Sequence, residues 1–344
     1  MRARAVRSSL GFLTERMNSI LNVCSVHCKT ENRHRLARRA WWRTGNELAT
    51  CSRLMHIDLV ANIRARVKRT YHDVVAVVTD PPFAPLGHYY SPLTDKADGR
   101  RAASWASTQE SPAGVNVDLA EMAALARELA PMWAELPQSA RYRQASMFAL
   151  ADAAVYHSML RHFSPASIVE VGSGYSTAVA LDAIDAYHLP AQLQCIEPHP
   201  ERLLSLLRPA DNVSLTRSIV QDVPLSTFDV LGSGDFLFID STHVAKSGSD
   251  VVWTTLHVLP RLSAGVIVHI HDMFWPLEYK DDWLLRRRDW NEIYLIHAFL
   301  SGNSHWRILV FNDQIWRNQS DLVQRYLPAA VDQRPGGLWL QKID

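Results

Sequence analysis

The sequence predicts a doubly wound α/β fold with a mostly parallel sheet in the C-terminal half of the chain. After Pro165, short apolar runs alternate with stretches of helical periodicity, which is typical of a parallel sheet. The runs are five to seven residues long and mainly apolar, as expected of strands that helices cover on both faces. A glycine-rich turn follows the first run, at the edge where such sheets bind ligands.

Strands and helices are predicted to alternate from residue 167 onward. The strands are 167–171, 193–197, 213–219, 235–240, 265–271, 306–311 and 337–343. The helices between them lie near 176–186, 199–207, 248–259 and 289–301. The last helix has a capping-box pattern, because Asp289 is followed three residues later by Glu292. Because parallel strands end at one edge, polar groups just after each strand are the candidates for chemistry.

Composition divides the chain into a basic extension (1–79), a linker with a helical cap (80–150) and the α/β domain (151–344). The first 70 residues carry 15 Lys and Arg against 4 Asp and Glu. A solvated extension is the simpler interpretation, and a tail that binds nucleic acid or anionic lipid is the alternative. The first 23 residues are also typical of a transit peptide, or of a start codon assigned too far upstream.

Four cysteines in 344 residues form no disulfide framework, which predicts a reducing, cytoplasmic location. A zinc site at Cys24 and Cys28 would lack a second pair of ligands. No apolar run reaches the roughly 18 residues that a membrane span needs, so no span is predicted. The oligomeric state is not predictable from these features.

The first strand runs into a turn that could hold an amino acid. Gly172 and Gly174 let the backbone turn sharply and approach a ligand. Glu170, at the strand end, could hold a cationic ammonium group. Hydroxyls and amides at the start of the next helix could hold a carboxylate; the hydroxyls belong to Ser173, Ser176 and Thr177. An ammonium and a carboxylate together describe the methionine moiety of S-adenosylmethionine (SAM).

Acids after the next strands extend this pattern along the sheet. Glu197 ends the second strand, where an acid hydrogen-bonds a ribose diol in nucleotide-binding folds. Asp222 follows the third strand and is placed to accept from an adenine amino group, and Asp240 follows the fourth and could orient the cofactor. An NAD-dependent oxidoreductase is the alternative. However, Thr177 stands at the third glycine position of its fingerprint, and Glu170 would repel a pyrophosphate. A non-catalytic SAM-binding module is the other alternative.

Four stretches together resemble the class I SAM-dependent methyltransferases of bacteria. They are VEVGSGYST, IEPHPERL, FIDSTHV and GVIVHIHDMFWPLEYKDDW with the following WNEIYLIHAFL. Within that family they resemble the subgroup whose fourth and fifth strands end in ID-x-x-H and HD. The resemblance covers roughly residues 140–312. It implies a Rossmann-like sheet of seven strands, with an antiparallel hairpin in the last pair, and methyl transfer from SAM.

The candidate catalytic residues are His243, His271 and Asp272, which follow strands four and five together with Asp240. Two carboxylates on adjacent strands could share a divalent metal such as Mg²⁺, as in some related O-methyltransferases. His271 stands where those enzymes have an additional acid, so a metal is not favoured. Without metal, His243 or His271 is expected to be the general base.

Two aromatic-rich loops, 87–92 and 274–283, are candidates for the walls of the acceptor site. Packing of the N-terminal helices against the sheet is the alternative role for both loops. We expect the acceptor to be a small molecule or saccharide that is methylated at a hydroxyl oxygen. Nucleic acid is not expected, because residues after 70 carry a net negative charge where a basic groove would be needed.

Overall fold

The computed structural model describes residues 83–85, 88–137, 141 and 148–344. All described residues except Phe83 belong to one compact unit, Ala84–Asp344. The predicted basic extension and the residues Cys24 and Cys28 lie outside the described residues. Across the described ranges, the structure contains no helix that is long and apolar enough to span a bilayer.

Helices and strands alternate after residue 167, as predicted. The strands are β1 (Ser167–Val171), β2 (Gln192–Ile196), β3 (Val213–Thr216), β4 (Phe236–Ile239), β5 (Ile267–His271), β6 (Trp306–Phe311) and β7 (Gly337–Lys342). The helices are α1 (Lys96–Ala106), α2 (Leu119–Trp133), α3 (Leu150–Phe163), α4 (Tyr175–Tyr187), α5 (Glu201–Leu206), α6 (Asp250–Trp253), α7 (Asp281–Leu285), α8 (Glu292–Leu300), α9 (Asn312–Asn318) and α10 (Ser320–Tyr326). The division into cap and α/β domain at residue 150 stays a prediction.

The strands form one seven-stranded sheet in the order β3-β2-β1-β4-β5-β7-β6. The first five strands are parallel to one another, and β7 runs antiparallel between β5 and β6. The sheet is therefore mixed, and the predicted Rossmann-like, mostly parallel α/β fold with a C-terminal antiparallel pair is confirmed. The strand order reverses beside β1, which is where a doubly wound sheet opens a ligand crevice.

The central strands lie in the core because both of their faces are covered. Every residue of β4 and of β5 is buried. Burial of each large apolar side chain contributes about 1.5–3 kcal/mol relative to exposure, which explains why these runs are so apolar. His269 and His271 are the polar residues of β5. Packing alone therefore does not explain why two imidazole rings lie in the centre of a hydrophobic sheet.

The predicted capping box at the start of α8 is wrong. The helix begins at Glu292 with Asn291 as its N-cap, and neither residue provides a side-chain cap. Asp289 has a left-handed backbone (φ 57°) and accepts hydrogen bonds from the amide and hydroxyl of Thr94. The carboxylate of Glu292 is instead buried against the ring of His243. A long-range pairing of charged groups has replaced the local cap that the sequence pattern predicted.

Arg141 ties the segment before α3 to two other parts of the domain. Its guanidinium lies 2.8 Å from Asp182 on α4 and 2.5 Å from Asp211 before β3, and all three side chains are almost fully buried. We expect Arg141→Met to lower the free energy of unfolding by about 3–5 kcal/mol, because two buried carboxylates lose their main partner. Urea denaturation measures this loss.

The matched control is Arg101→Met. Arg101 also lies 2.9 Å from a carboxylate, that of Asp98, but both side chains are about half exposed. An exposed pair of this kind contributes at most about 1 kcal/mol. Equal destabilisation by the two variants would contradict the role given to Arg141.

Candidate active site

A cleft of about 590 Å³ opens at the carboxyl edge of the sheet, above β1, β2, β4 and β5. The loops that follow these strands supply most of its lining. From those loops come Gly172, Ser173, Gly174, Glu197, Asp240, Ser241, His243, His271 and Asp272. Ser176, on α4, lines the cleft as well, so nine of the twelve predicted site residues lie in this one cleft.

The glycine turn is shaped by the neighbouring strand. Gly172 has a φ of 81°, and a Cβ there would lie 1.9 Å from the carbonyl oxygen of Asp240. The amide of Gly172 donates to Ile196, and the amide of Asp240 donates to Val171, so the strand ladder continues one step beyond the strand ends. The predicted reason for this glycine was the approach of a ligand. The structure shows that it also permits the close approach of the β4 loop.

Glu170 lies beneath the turn rather than in the cleft. It is fully buried and accepts hydrogen bonds from the hydroxyls of Ser176, at 2.5 Å, and Thr177. The Thr177 hydroxyl also accepts from the amide of Gly174 at 3.0 Å. Burial raises the pKa of Glu170 to about 7, although these hydrogen bonds oppose the shift. Neither Glu170 nor Thr177 lines the cleft, so both hold the turn from behind.

Glu197 faces the cleft and joins two loops. Its carboxylate accepts from the amide of Ser173 at 3.1 Å and from the amide of His199 at 2.7 Å. Asp222, by contrast, is exposed and lies outside the cleft lining. It ends a short 3₁₀ turn whose preceding residue, Gln221, lines the cleft. The geometry therefore favours Gln221 over Asp222 as the polar group at the third strand.

Three buried polar atoms in the cleft have no hydrogen-bond partner among the described residues. They are Oγ of Ser173, Oγ of Ser241 and Oε1 of Gln221. An unpaired buried donor or acceptor costs about 1–3 kcal/mol, so such groups are rare unless a ligand or water pairs with them. The amide nitrogen of Gln221 donates to the carbonyl of Gly248, which aims its oxygen as an acceptor. These atoms indicate a polar ligand in the cleft.

His243 lies at the centre of a cluster of carboxylates. Its Nδ1 is 2.9 Å from Glu292, and its Nε2 is 3.3 Å from Asp240 and 3.6 Å from Asp272. Burial on its own would lower the pKa of His243, but the hydrogen bonds to Asp240 and Glu292 raise it to about 10. The pKa of Asp240 shifts in the opposite sense. The charge of His271 and the hydrogen bond from His243 outweigh burial and lower it to about 2. At neutral pH this histidine is a cation, which differs from the role of general base expected for it.

His271 also lines the cleft, but it has a different set of neighbours. Its Nδ1 lies 3.3 Å from Nε2 of His269, and the ring of Phe148 stacks on it with a centroid separation of 5.1 Å. Burial would lower the pKa of His271, but the charges of Asp240, Asp272 and Asp152 raise it. No described residue forms a hydrogen bond with its other nitrogen, Nε2.

Asp272 has a left-handed backbone (φ 54°), and its amide donates to the carbonyl of Gly336 at 2.8 Å. This contact fixes the backbone at the end of β5, and the carboxylates of Asp272 and Asp240 both lie near Nε2 of His243. Within the described part of the chain, no group of three or more His, Cys, Asp or Glu side chains has an arrangement that could hold a metal ion. The ring of His243 lies against the carboxylates of Asp240 and Asp272, in the place that a shared ion would need.

The two aromatic loops have different positions from those expected. In the first, Tyr89 and Tyr90 are exposed, and Gly87 lies outside the described residues. In the second, Trp275 is buried and its indole donates to the carbonyl of Glu110, so this loop holds the segment after α1. The aromatic residues that line the cleft are Phe148, Tyr175 and Trp290. The ring of Trp290 lies 4.3 Å from that of His243.

Comparisons with known proteins match one family model and one related sequence. Residues 169–273 match a family model described as a methyltransferase domain. A protein of Archaeoglobus fulgidus, whose printed name gives no function, is 28% identical over 162 residues, which cover 43% of this chain and 73% of that protein.

Among solved structures, the SAH-bound methyltransferase PaMTH1 of Podospora anserina is 14% identical, with a TM-score of 0.38. That match covers 73% of this chain and 97% of the other. The O-methyltransferase TomG of Streptomyces achromogenes, in complex with SAM, is 16% identical with a TM-score of 0.38 and covers 72% of this chain and 98% of its own.

Proposed function

We propose that this chain, which carries a class I methyltransferase domain, transfers the methyl group of SAM to a hydroxyl oxygen of a small molecule or saccharide. The domain assignment comes from the family match over residues 169–273 and from the strand order of the sheet. The observation that carries the cofactor assignment is the cleft itself. It combines a fixed glycine turn with three unpaired polar atoms and the carboxylate of Glu197.

The residues of the cleft fit SAM group by group. Glu197 is placed for the ribose diol, and the oxygen of Gln221 can accept from the adenine amino group. The turn at Gly172, with the hydroxyls of Ser173 and Ser241, is placed for the methionine moiety. When bound, SAM supplies an electrophilic methyl group on a sulfonium. Glu170 lies behind the turn and so gives no argument against a pyrophosphate, and the choice between SAM and NAD depends on the binding experiment.

The acceptor is expected at the end of the cleft formed by His271, Asp272 and Trp290. The flat faces of Phe148 and Trp290 can pack against a ring and exclude water. His271 is the group best placed to take the hydroxyl proton, because its Nδ1 is engaged by His269 and its Nε2 is not. The neighbouring carboxylates stabilise the imidazolium that forms.

Titration calorimetry with SAM and with NAD tests the cofactor assignment. SAM is expected to bind, and Glu197→Ala is expected to weaken it about 10- to 100-fold through the loss of charge-assisted hydrogen bonds. Asp222→Ala is the matched control and should leave the affinity unchanged, because Asp222 is exposed outside the cleft.

Two results would overturn this assignment. One is tighter binding of NAD than of SAM, which would favour an oxidoreductase. The other is an effect of Asp222→Ala as large as that of Glu197→Ala, which would place the adenosyl group elsewhere. Transfer of label from methyl-labelled SAM to the small-molecule fraction of a cell extract then tests catalysis, and its absence despite SAM binding would favour a non-catalytic module.

A further inference from the structure

A set of backbone and side-chain hydrogen bonds fixes the loop that carries His243. The carbonyl of His243 accepts from the amides of Asn291 and Glu292, at 3.1 and 3.2 Å. The side chain of Asn291 accepts from the amide of Ala245 at 2.5 Å and donates to its carbonyl at 3.3 Å. His243 itself has a left-handed backbone, with a φ of 59°. The loop after β4 is therefore bound to the start of α8, and the ring of His243 is fixed with it.

Both nitrogens of this ring face carboxylates. Glu292, only 1% exposed, lies at Nδ1, and Asp240 and Asp272 lie at Nε2. A neutral imidazole has one N–H and one lone pair, so one of its nitrogens would direct a lone pair at a carboxylate. An imidazolium donates from both nitrogens and avoids that repulsion. The arrangement is one of a fixed cation among three acids.

We propose that Glu292 is a positioning residue that holds the imidazolium of His243 between Asp240 and Asp272, where it balances these carboxylates in place of a bridging divalent ion. This inference rests on the proposed function, since it assigns the electrostatics of the same site. Glu292 does not line the cleft and acts through His243. The two strand-end carboxylates are held beside the acceptor site by this cation and without a bound metal.

The charged groups around His243 support this assignment. Asp240 faces the ring from the end of β4, Asp272 from the end of β5 and Glu292 from α8. His271, on β5, is the neighbouring group that disfavours a second positive charge, because the charges of His243 and His271 repel each other. The carboxylates of Asp240 and Glu292 raise the pKa of His243 despite its burial. The indole ring of Trp290 covers the imidazole ring of His243 and limits the access of water to it.

The test is Glu292→Gln in the full chain with ¹⁵N-labelled histidine. Glutamine can still accept from Nδ1, so the loop is expected to stay folded while the negative charge is lost. We expect the NMR titration midpoint of His243 to fall by at least about one pH unit, because a carboxylate in contact shifts a pKa by about 1–3 units. Turnover is expected to fall about 10-fold or more, with the SAM dissociation constant within about threefold of wild type.

Glu278→Gln is the matched control. Glu278 is also a buried acid, but its carboxylate accepts from Tyr294 and from its own neighbour's amide rather than from a histidine. We expect that variant to leave the titration of His243 unchanged. A wild-type His243 that titrates near 6.5, or an equal shift in both variants, would overturn the proposal. This readout does not require activity, so it separates failure of this inference from failure of the proposed function.

Metal binding provides an independent arm of the test. Wild-type activity is expected to be the same after EDTA treatment as after addition of Mg²⁺ or Mn²⁺. His243→Gln removes the fixed cation, and we expect it to bind Mn²⁺ more tightly than the wild-type protein in calorimetry. Restoration of an EDTA-inactivated wild-type protein by either metal would overturn the proposal, because the ion would then occupy the place assigned to His243.

Discussion

Gly172→Ala is expected to abolish most of the SAM affinity of this protein. The new Cβ would lie 1.9 Å from the carbonyl oxygen of Asp240 and 2.8 Å from its carbonyl carbon, so the glycine turn and the β4 loop must separate. A displacement of about 1 Å in such a site weakens function roughly 100-fold. Calorimetry with SAM measures the affinity, and thermal unfolding measures the accompanying loss of stability.

Gly234→Ala separates this steric clash from backbone strain. Gly234 has a similar φ of 86°, but a Cβ there would contact nothing within 4 Å. A left-handed alanine is expected to destabilise the protein by about 1–2 kcal/mol while the SAM affinity stays unchanged. If both variants bound SAM like the wild type, the turn would not be the cofactor site. If both lost affinity equally, strain rather than the clash would be responsible.

The strands could be predicted because their signal is local. β1 and β6 begin and end at the predicted residues, since burial on both faces selects apolar residues along a whole strand. β3 was predicted to reach Ile219 but ends at Thr216. Ile219 is 45% exposed and lines the cleft, so the reason for an apolar residue there is the wall of the cleft and not the core. A sequence pattern does not distinguish these two reasons.

The cofactor cleft could be predicted in outline but not in the direction of each side chain. Strand ends converge by topology, and this alone brings Gly172, Glu197 and Asp240 together. Glu170 points to the other side of the turn, where two hydroxyls satisfy it. The irregular 3₁₀ turn after β3 presents Gln221 to the cleft, one residue before the predicted Asp222. Side-chain direction in such segments depends on tertiary contacts.

Glu292 could not be assigned from the sequence. The carboxylate is 49 residues from His243, and its position after Asp289 also matched a local capping pattern. The contact between Glu292 and His243 also favours His271 over His243 as the general base, because it favours the imidazolium form of His243. His271 has no carboxylate within hydrogen-bond distance among the described residues, although acids surround it. The proposal of His271 as the general base therefore depends on a contact that only the fold reveals.

His271→Gln is accordingly expected to lower turnover by about 10²- to 10⁴-fold, the usual contribution of a general base, with little change in SAM affinity. The pH profile gives a second readout. Only the neutral imidazole accepts a proton, so kcat/KM should rise with pH through the pKa of His271. The carboxylates of Asp240, Asp272 and Asp152 place that inflection above 6.5.

The inflection should disappear in His271→Gln and persist in His257→Gln, a control at an exposed histidine. Turnover of His271→Gln within a few-fold of wild type, with the inflection retained, would instead make Asp272 the proton acceptor. A carboxylate base would give a plateau that extends to lower pH, because its pKa lies well below that of an imidazole. The shape of the profile below pH 6.5 therefore distinguishes the two bases.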